Sequence, residues 1–195
     1  LRMGTKFSTR VWVSVVGIAS IFFGSKGYAD TVISVADFGL KPDTRENAVA
    51  YVQKAIEACR GKEPVTLVFP EGRYDFWPQY AHEKNYYETN TYDVFPKRLA
   101  MLFEGLHNIT VDGNGSQFVM HDRIQPITVE NCDGVTLKNF SIDWDIPLTA
   151  QARVTKVGSD FFEIEINVLE SPYIIEDGKL VFVGEGWKSA LGSMI

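Results

Sequence analysis

The 195 residues are 45% hydrophobic and 23% charged, with a formal net charge of -6 and no long run of either sign. That composition belongs to an ordinary globular protein without low-complexity tracts. It excludes nucleic acid as a partner, because phosphate binding needs a concentrated basic surface.

The first elements are a leader. Arg10 precedes an apolar run from Val11 to Phe23, broken only by Ser14, Gly17 and Ser20. Gly27 and Ala29 then supply the two small residues that a signal peptidase reads, so residues 3–29 are predicted to be a signal peptide cut between Ala29 and Asp30. The run is shorter than the roughly 20 residues of a bilayer span, which argues against a retained anchor. The mature protein is expected in the periplasm or outside the cell, with no membrane contact after cleavage. That oxidising destination permits a disulfide between Cys59 and Cys132, although two small buried thiols are the preferred reading. His82, His107 and His121 are scattered, and no CxxC or HExxH spacing occurs, so no metal site is expected.

Val32 to Val35 reads as a short strand leading into a turn at Asp37–Gly39. Asp43-Thr44-Arg45-Glu46 has the form of a capping box. Val49, Val52, Ile56 and Cys59 follow as one apolar stripe at helical spacing, which Gly61 ends. Val65 to Phe69 predicts a strand, and Pro70-Glu71-Gly72 turns it into another at Arg73 to Phe76. Phe76 and Trp77 read as core. From Tyr80 to Phe95 no period is visible, and four tyrosines (Tyr80, Tyr86, Tyr87, Tyr92) mark a long loop. Such a loop either stacks on a ligand ring or folds over the first strands to seal them.

A weak repeat comes next. Asn108-Ile109-Thr110-Val111-Asp112-Gly113 returns 26 residues later as Gly134-Val135-Thr136-Leu137-Lys138-Asn139, with short strands at Gln117–Met120 and Pro126–Val129 between them. Short strands repeating at that interval predict a coiled, solenoid-like sheet in which each coil stacks its apolar positions on the coil below. From Ala150 the pattern changes to alternating segments around Gly158-Ser159-Asp160, an antiparallel hairpin, with a further strand at Gly178–Val183. An unfinished solenoid without a closing cap is expected to be part of a longer protein.

Val32-Ile33-Ser34-Val35-Ala36-Asp37-Phe38-Gly39, the helix containing Ala55-Ile56, and Leu67-Val68-Phe69-Pro70-Glu71-Gly72-Arg73-Tyr74 together resemble the N-terminal cap of pectate-lyase-like proteins. The resemblance implies a mainly β fold: a right-handed parallel β-helix whose cap and first coils fill residues 30–149. Residues 150–187 are then an inserted small antiparallel β-module, and 188–195 a truncated C-terminal end. Tyr74-Asp75-Phe76-Trp77-Pro78, Asn90-Thr91-Tyr92-Asp93, His121-Asp122-Arg123-Ile124-Gln125-Pro126 and Asp143-Trp144-Asp145-Ile146-Pro147-Leu148-Thr149-Ala150-Gln151 resemble glycoside hydrolase family 110. These are bacterial exo-acting α-1,3-galactosidases, including enzymes that remove blood-group B galactose. The resemblance implies a carbohydrate partner, no cofactor, and an inverting hydrolysis whose two acids lie beyond Ile195, so that the 195 residues alone are inactive.

Four residues are the candidate substrate contacts. Asp143 and Asp145 share one face of a strand and Trp144 takes the other. The two carboxylates can bind sugar hydroxyls or stand as solvated turn residues before Pro147; so close a pair does not suit an inverting geometry. Asp122 and Arg123, after His121, offer an acceptor and donors to a sugar or form a surface ion pair. Catalytic residues are not assigned within the chain. A polyuronate lyase or polygalacturonase, or a glycan-binding tailspike-type β-helix without catalysis, would use the same cap. The lyase reading calls for a basic groove that the sequence does not show.

Overall fold

The computed structural model describes residues 31–86 and 96–190; the predicted leader and the middle of the Tyr-rich loop lie outside them. Among the described residues the fold is mainly β with one α-helix. Strand β1 (Thr31–Ser34) leads into a single 3-10 turn at Val35–Phe38. The capping box sits here, with the Ser34 hydroxyl accepting from Ala36 N and the Asp37 carboxylate from Ser34 N. The box expected at Asp43–Glu46 does not form. Helix α1 (Val49–Cys59) starts three residues later, and Asp43 Oδ1 instead accepts from Arg73 N at 2.9 Å. A tertiary bond to the next strand outweighs the local capping pattern. The predicted stripe of Val49, Val52, Ile56 and Cys59 is buried.

The next strands are β2 (Val65–Val68), β3 (Arg73–Phe76), β4 (His82–Lys84), β5 (Lys97–Glu104), β6 (His107–Met120), β7 (Gln125–Glu130) and β8 (Asp133–Trp144). Two parallel stacks organise them. In one, β1, β2, β6 and β8 lie side by side in parallel, and the second half of β6 also takes β3 on one edge and β8 on the other. In the other, β5 and β7 run parallel, and β4 adds an antiparallel strand within the segment predicted as loop. The sequence repeat is this register: Ile109 pairs with Val135 and Val111 with Leu137. Left-handed corners recur at the same interval, at Gly105 and Asn131 and at Asn108 and Gly134. At Gly134 a side chain would bring its Cβ to 2.6 Å from the Asn108 amide oxygen, so the close stacking of corners requires glycine there.

The core lies between the stacks and α1, with Phe69, Tyr74, Phe76, Phe103 and Phe118 fully buried. Phe118 is its centre, with rings of Phe69, Phe76 and Phe140 at 4.7, 5.6 and 4.7 Å. Inward positions of β7 and β8 are open: Val129, Leu137 and Ile142 are exposed, although their partners Phe103, Val111 and Phe118 are buried. Cys59 and Cys132 are free thiols. Burial pushes the Cys59 thiol up to about 11, which makes it unreactive near neutrality.

The remaining strands pair antiparallel. β9 (Arg153–Val157) and β10 (Phe162–Glu165) form the hairpin expected around Gly158. β11 (Tyr173–Glu176), β12 (Lys179–Gly184) and β13 (Trp187–Ala190) form a three-stranded sheet, so β13 crosses the point at which the sequence suggests a module end.

Candidate functional site

The site follows from the alternation of three parallel strands. Tyr74, Phe118 and Ile142 share one register position and point inward, as do Phe76, Met120 and Trp144 one step along. The intervening residues therefore face outward, Arg73 beside Gln117 and Ser141, and Asp75 beside Val119 and Asp143. One residue past the strands come Trp77, His121 and Asp145, held in line by His121 N donating to Phe76 O at 2.9 Å and Asp145 N to Met120 O at 3.1 Å. Positions 46 and 72 residues apart in the chain meet in this way.

Arg73 joins the acids. Its Nε and Nη2 donate to Asp75 Oδ1 at 3.0 and 2.5 Å, and Nη2 also reaches Asp145 Oδ1 at 2.6 Å. Asp75 is fully buried despite its outward position, and the backbone of the segment before α1 bridges to it at Asn47. His121 Nε2 lies 2.9 Å from Asp75 Oδ1, and its Nδ1 lies 2.8 Å from Glu185 Oε1, which comes from the turn between β12 and β13. The imidazole donates to both carboxylates only with both nitrogens protonated. Trp77 stacks on the same ring at 3.8 Å. Burial pushes the Asp75 carboxyl up, but the Arg73 and His121 contacts outweigh it and hold it below the usual carboxylate range. The Asp75 and Asp145 carboxylates in turn fasten the proton on Arg73 more firmly.

Asp75, His121 and Asp145 bring three ligand atoms within 4.8 Å of one another. The Arg73 guanidinium already supplies the positive charge between the two aspartates, so the group is built as an ion-pair network and not as a cation cage.

Asp143 and Asp145 both line an outward cleft of about 270 Å³, with Arg73 and Gln117. Asp145 Oδ2 makes no hydrogen bond among the described residues, and its side chain is 37% exposed. Trp144 is half-buried against the core, and its indole N–H donates to Asp122 O at 3.2 Å. Asp122 and Arg123 do not line this cleft. Asp122 has a left-handed backbone (φ 55°) and turns toward Glu185 and Gly186. A Cβ on Gly186 would fall 2.3 Å from its carboxylate. Arg123 is exposed, and no ion pair joins it to Asp122 among the described residues. Arg73, Asp75 and Glu185 are the members that sequence reasoning missed. The one signal for Asp75 is an acid in the otherwise buried run Tyr74-Asp75-Phe76. Trp77, read as core, is half-buried and forms part of the outward face.

Residues 150–195 match the family model described as GLAA-B beta-barrel domain I. Over 167 residues, 86% of its length, the chain is 60% identical to the alpha-1,3-galactosidase B of Bacteroides thetaiotaomicron. It is 37% identical over 158 residues to the alpha-1,3-galactosidase A of Shewanella woodyi, and 36% identical over 184 residues to an alpha-1,3-galactosidase B of Phocaeicola vulgatus. The matched segments cover 80% and 92% of the chain. They cover only 27%, 26% and 29% of the three relatives, in the same order. The resemblance to the alpha-1,3-galactosidases read from the sequence is thus borne out: the chain is similar to alpha-1,3-galactosidases A and B and spans little more than a quarter of their length.

Proposed function

We propose that this chain forms part of a secreted glycoside hydrolase that releases terminal α-1,3-linked galactose by an inverting mechanism, and that its outward cleft holds the sugar. The observation that carries the reading is Asp145: an exposed carboxylate oriented by Arg73, with one oxygen free, beside a second carboxylate at Asp143. Charged acceptors fixed in this way bind vicinal hydroxyls well. The relatives' names supply the substrate class. In the same reading the parallel stacks are the first coils of a right-handed parallel β-helix, the antiparallel strands from Ala150 are an insertion, and the apolar leader is cleaved on export.

In this reading the acid pair that performs hydrolysis lies outside these residues. An inverting pair stands roughly 6.5–9.5 Å apart, whereas the Asp75 and Asp145 ligand oxygens are within 4.8 Å and share one guanidinium. A carboxyl held below its ordinary range is also a poor proton donor near neutrality. The test is saturation-transfer NMR on the purified chain with α-1,3-galactobiose. Transfer strongest to the terminal galactose, with no free galactose appearing, is the expected result. Galactose release above that of a mock preparation would overturn the placement of the acids, and absence of transfer would overturn the sugar site.

A further inference from the structure

A second cleft, about 350 Å³ and shallow, adjoins the first and is lined by Arg45, Asn47, Trp77, Gln79 and Tyr80. Its volume is of the order of known small-molecule sites, roughly 300–1,000 Å³. Two of its residues hold backbones that side chains rarely adopt, Arg45 at φ 61° and Tyr80 at φ 69°. Such conformations persist only where the surroundings impose them, and here they do. The Asn47 amide donates to Gln79 O at 2.9 Å, its oxygen accepts from Val49 N at 3.1 Å, and Gln53 Nε2 donates to Tyr80 O at 2.9 Å. The turn carrying Trp77 to Tyr80 is therefore anchored to the start and middle of α1.

What this anchoring presents is largely exposed to solvent. The Tyr80 side chain stands at 75% exposure, with no packing role among the described residues to explain its cost. Arg45 Nη1 lies 3.6 Å from Asp145 Oδ1 and 3.9 Å from Asp75 Oδ1, beyond hydrogen-bond length, and the side chain is 60% exposed. Arg45 thus pairs with both acids by charge alone, and among the described residues its donors make no hydrogen bond. Arg45 and Arg73 balance Asp75 and Asp145, so the surface favours a neutral ligand over an anion. An aromatic face beside a planar guanidinium suits a ring with one apolar face and vicinal hydroxyls.

Resting on the sugar reading of the first cleft, we infer that the Arg45–Tyr80 cleft is a second subsite, which takes the next hexose of a neutral oligosaccharide whose terminal galactose occupies the Asp143–Asp145 cleft. Arg45 forms the wall between the two and bonds hydroxyls of the inner sugar, and Tyr80 covers that sugar's apolar face.

The test compares affinities of the unaltered chain, Tyr80→Ala, Tyr80→Phe and Arg45→Lys for methyl α-galactoside and for a neutral trisaccharide ending in α-1,3-galactose. Melting curves confirm folding. The unaltered chain should prefer the trisaccharide by about tenfold, Tyr80→Ala should reduce that ratio about fivefold, and Tyr80→Phe should retain it. Arg45→Lys should reduce it through loss of the planar fork. Should Tyr80→Ala melt early, transfer NMR from the unaltered chain to the inner sugar's protons decides the matter. A ratio near one in the unaltered chain, or one that Tyr80→Ala and Arg45→Lys leave intact, overturns the subsite while the galactose cleft stands. Failure to bind either sugar overturns the sugar reading itself, and the subsite with it.

Discussion

Replacing Arg73 by alanine is expected to destabilise the fold by about 3 kcal/mol at neutral pH, because it leaves the fully buried Asp75 charge without its main partner. His121 Nε2 still faces that carboxylate, and Arg45 and Asp145 lie at the cluster's edge, which keeps the loss from being larger. The effect carries a pH signature. Asp75 is held below its ordinary value in the folded chain, so its contribution is complete above about pH 4 and is lost as pH falls through the lowered folded value. Without Arg73, burial dominates and the carboxyl moves up. The stability gap between parent and Arg73→Ala should therefore narrow on acidification from neutral pH, as Asp75 takes up a proton in the variant first. Urea titrations at several pH values measure this, and a gap independent of pH would mean that Arg73 acts through packing alone.

Phe118→Ala is expected to lose about 3–5 kcal/mol, the range for deleting a large buried ring. Phe118 is fully buried on the inner face of β6 and touches the rings of Phe69, Tyr74, Phe76 and Phe140. It also lies beneath the outward cleft. A cavity there should loosen β3 against β8 and with them the Arg73–Asp145 bond, so sugar affinity should fall together with stability. Phe118→Leu, which keeps most of the volume, should lose much less. A Phe118→Ala chain that melts with the parent would contradict the assignment of the core.

Much of the fold was legible because its forces are periodic. The Val49–Cys59 stripe announces a helix, and Ile109 and Val111 announce their partners Val135 and Leu137, since parallel strands in register put like residues beside like. The hairpin at Gly158 is local and was equally plain. The capping box failed because Asp43 was recruited by Arg73, a contact 30 residues away that no local pattern reports. Asp143 and Asp145 stood out as two acids around a tryptophan. Their partners Arg73, Asp75 and Glu185 did not, because they converge with His121 only through strand register and through the turn after β12. Asp122 looked equivalent to them in sequence, but its left-handed backbone turns it away from the cleft.

The measurement closest to the central claim is calorimetric titration of α-1,3-galactobiose into the chain and into its Asp145→Asn variant. Losing a charge-assisted hydrogen bond costs roughly 1.5–3 kcal/mol, so the variant should bind about ten- to a hundredfold more weakly. Its melting temperature should stay close to the parent's, because Asp145 is an exposed partner of Arg73. Equal affinity in the two proteins, or an affinity loss matched by early melting, would mean that Asp145 is structural and that the sugar is held elsewhere.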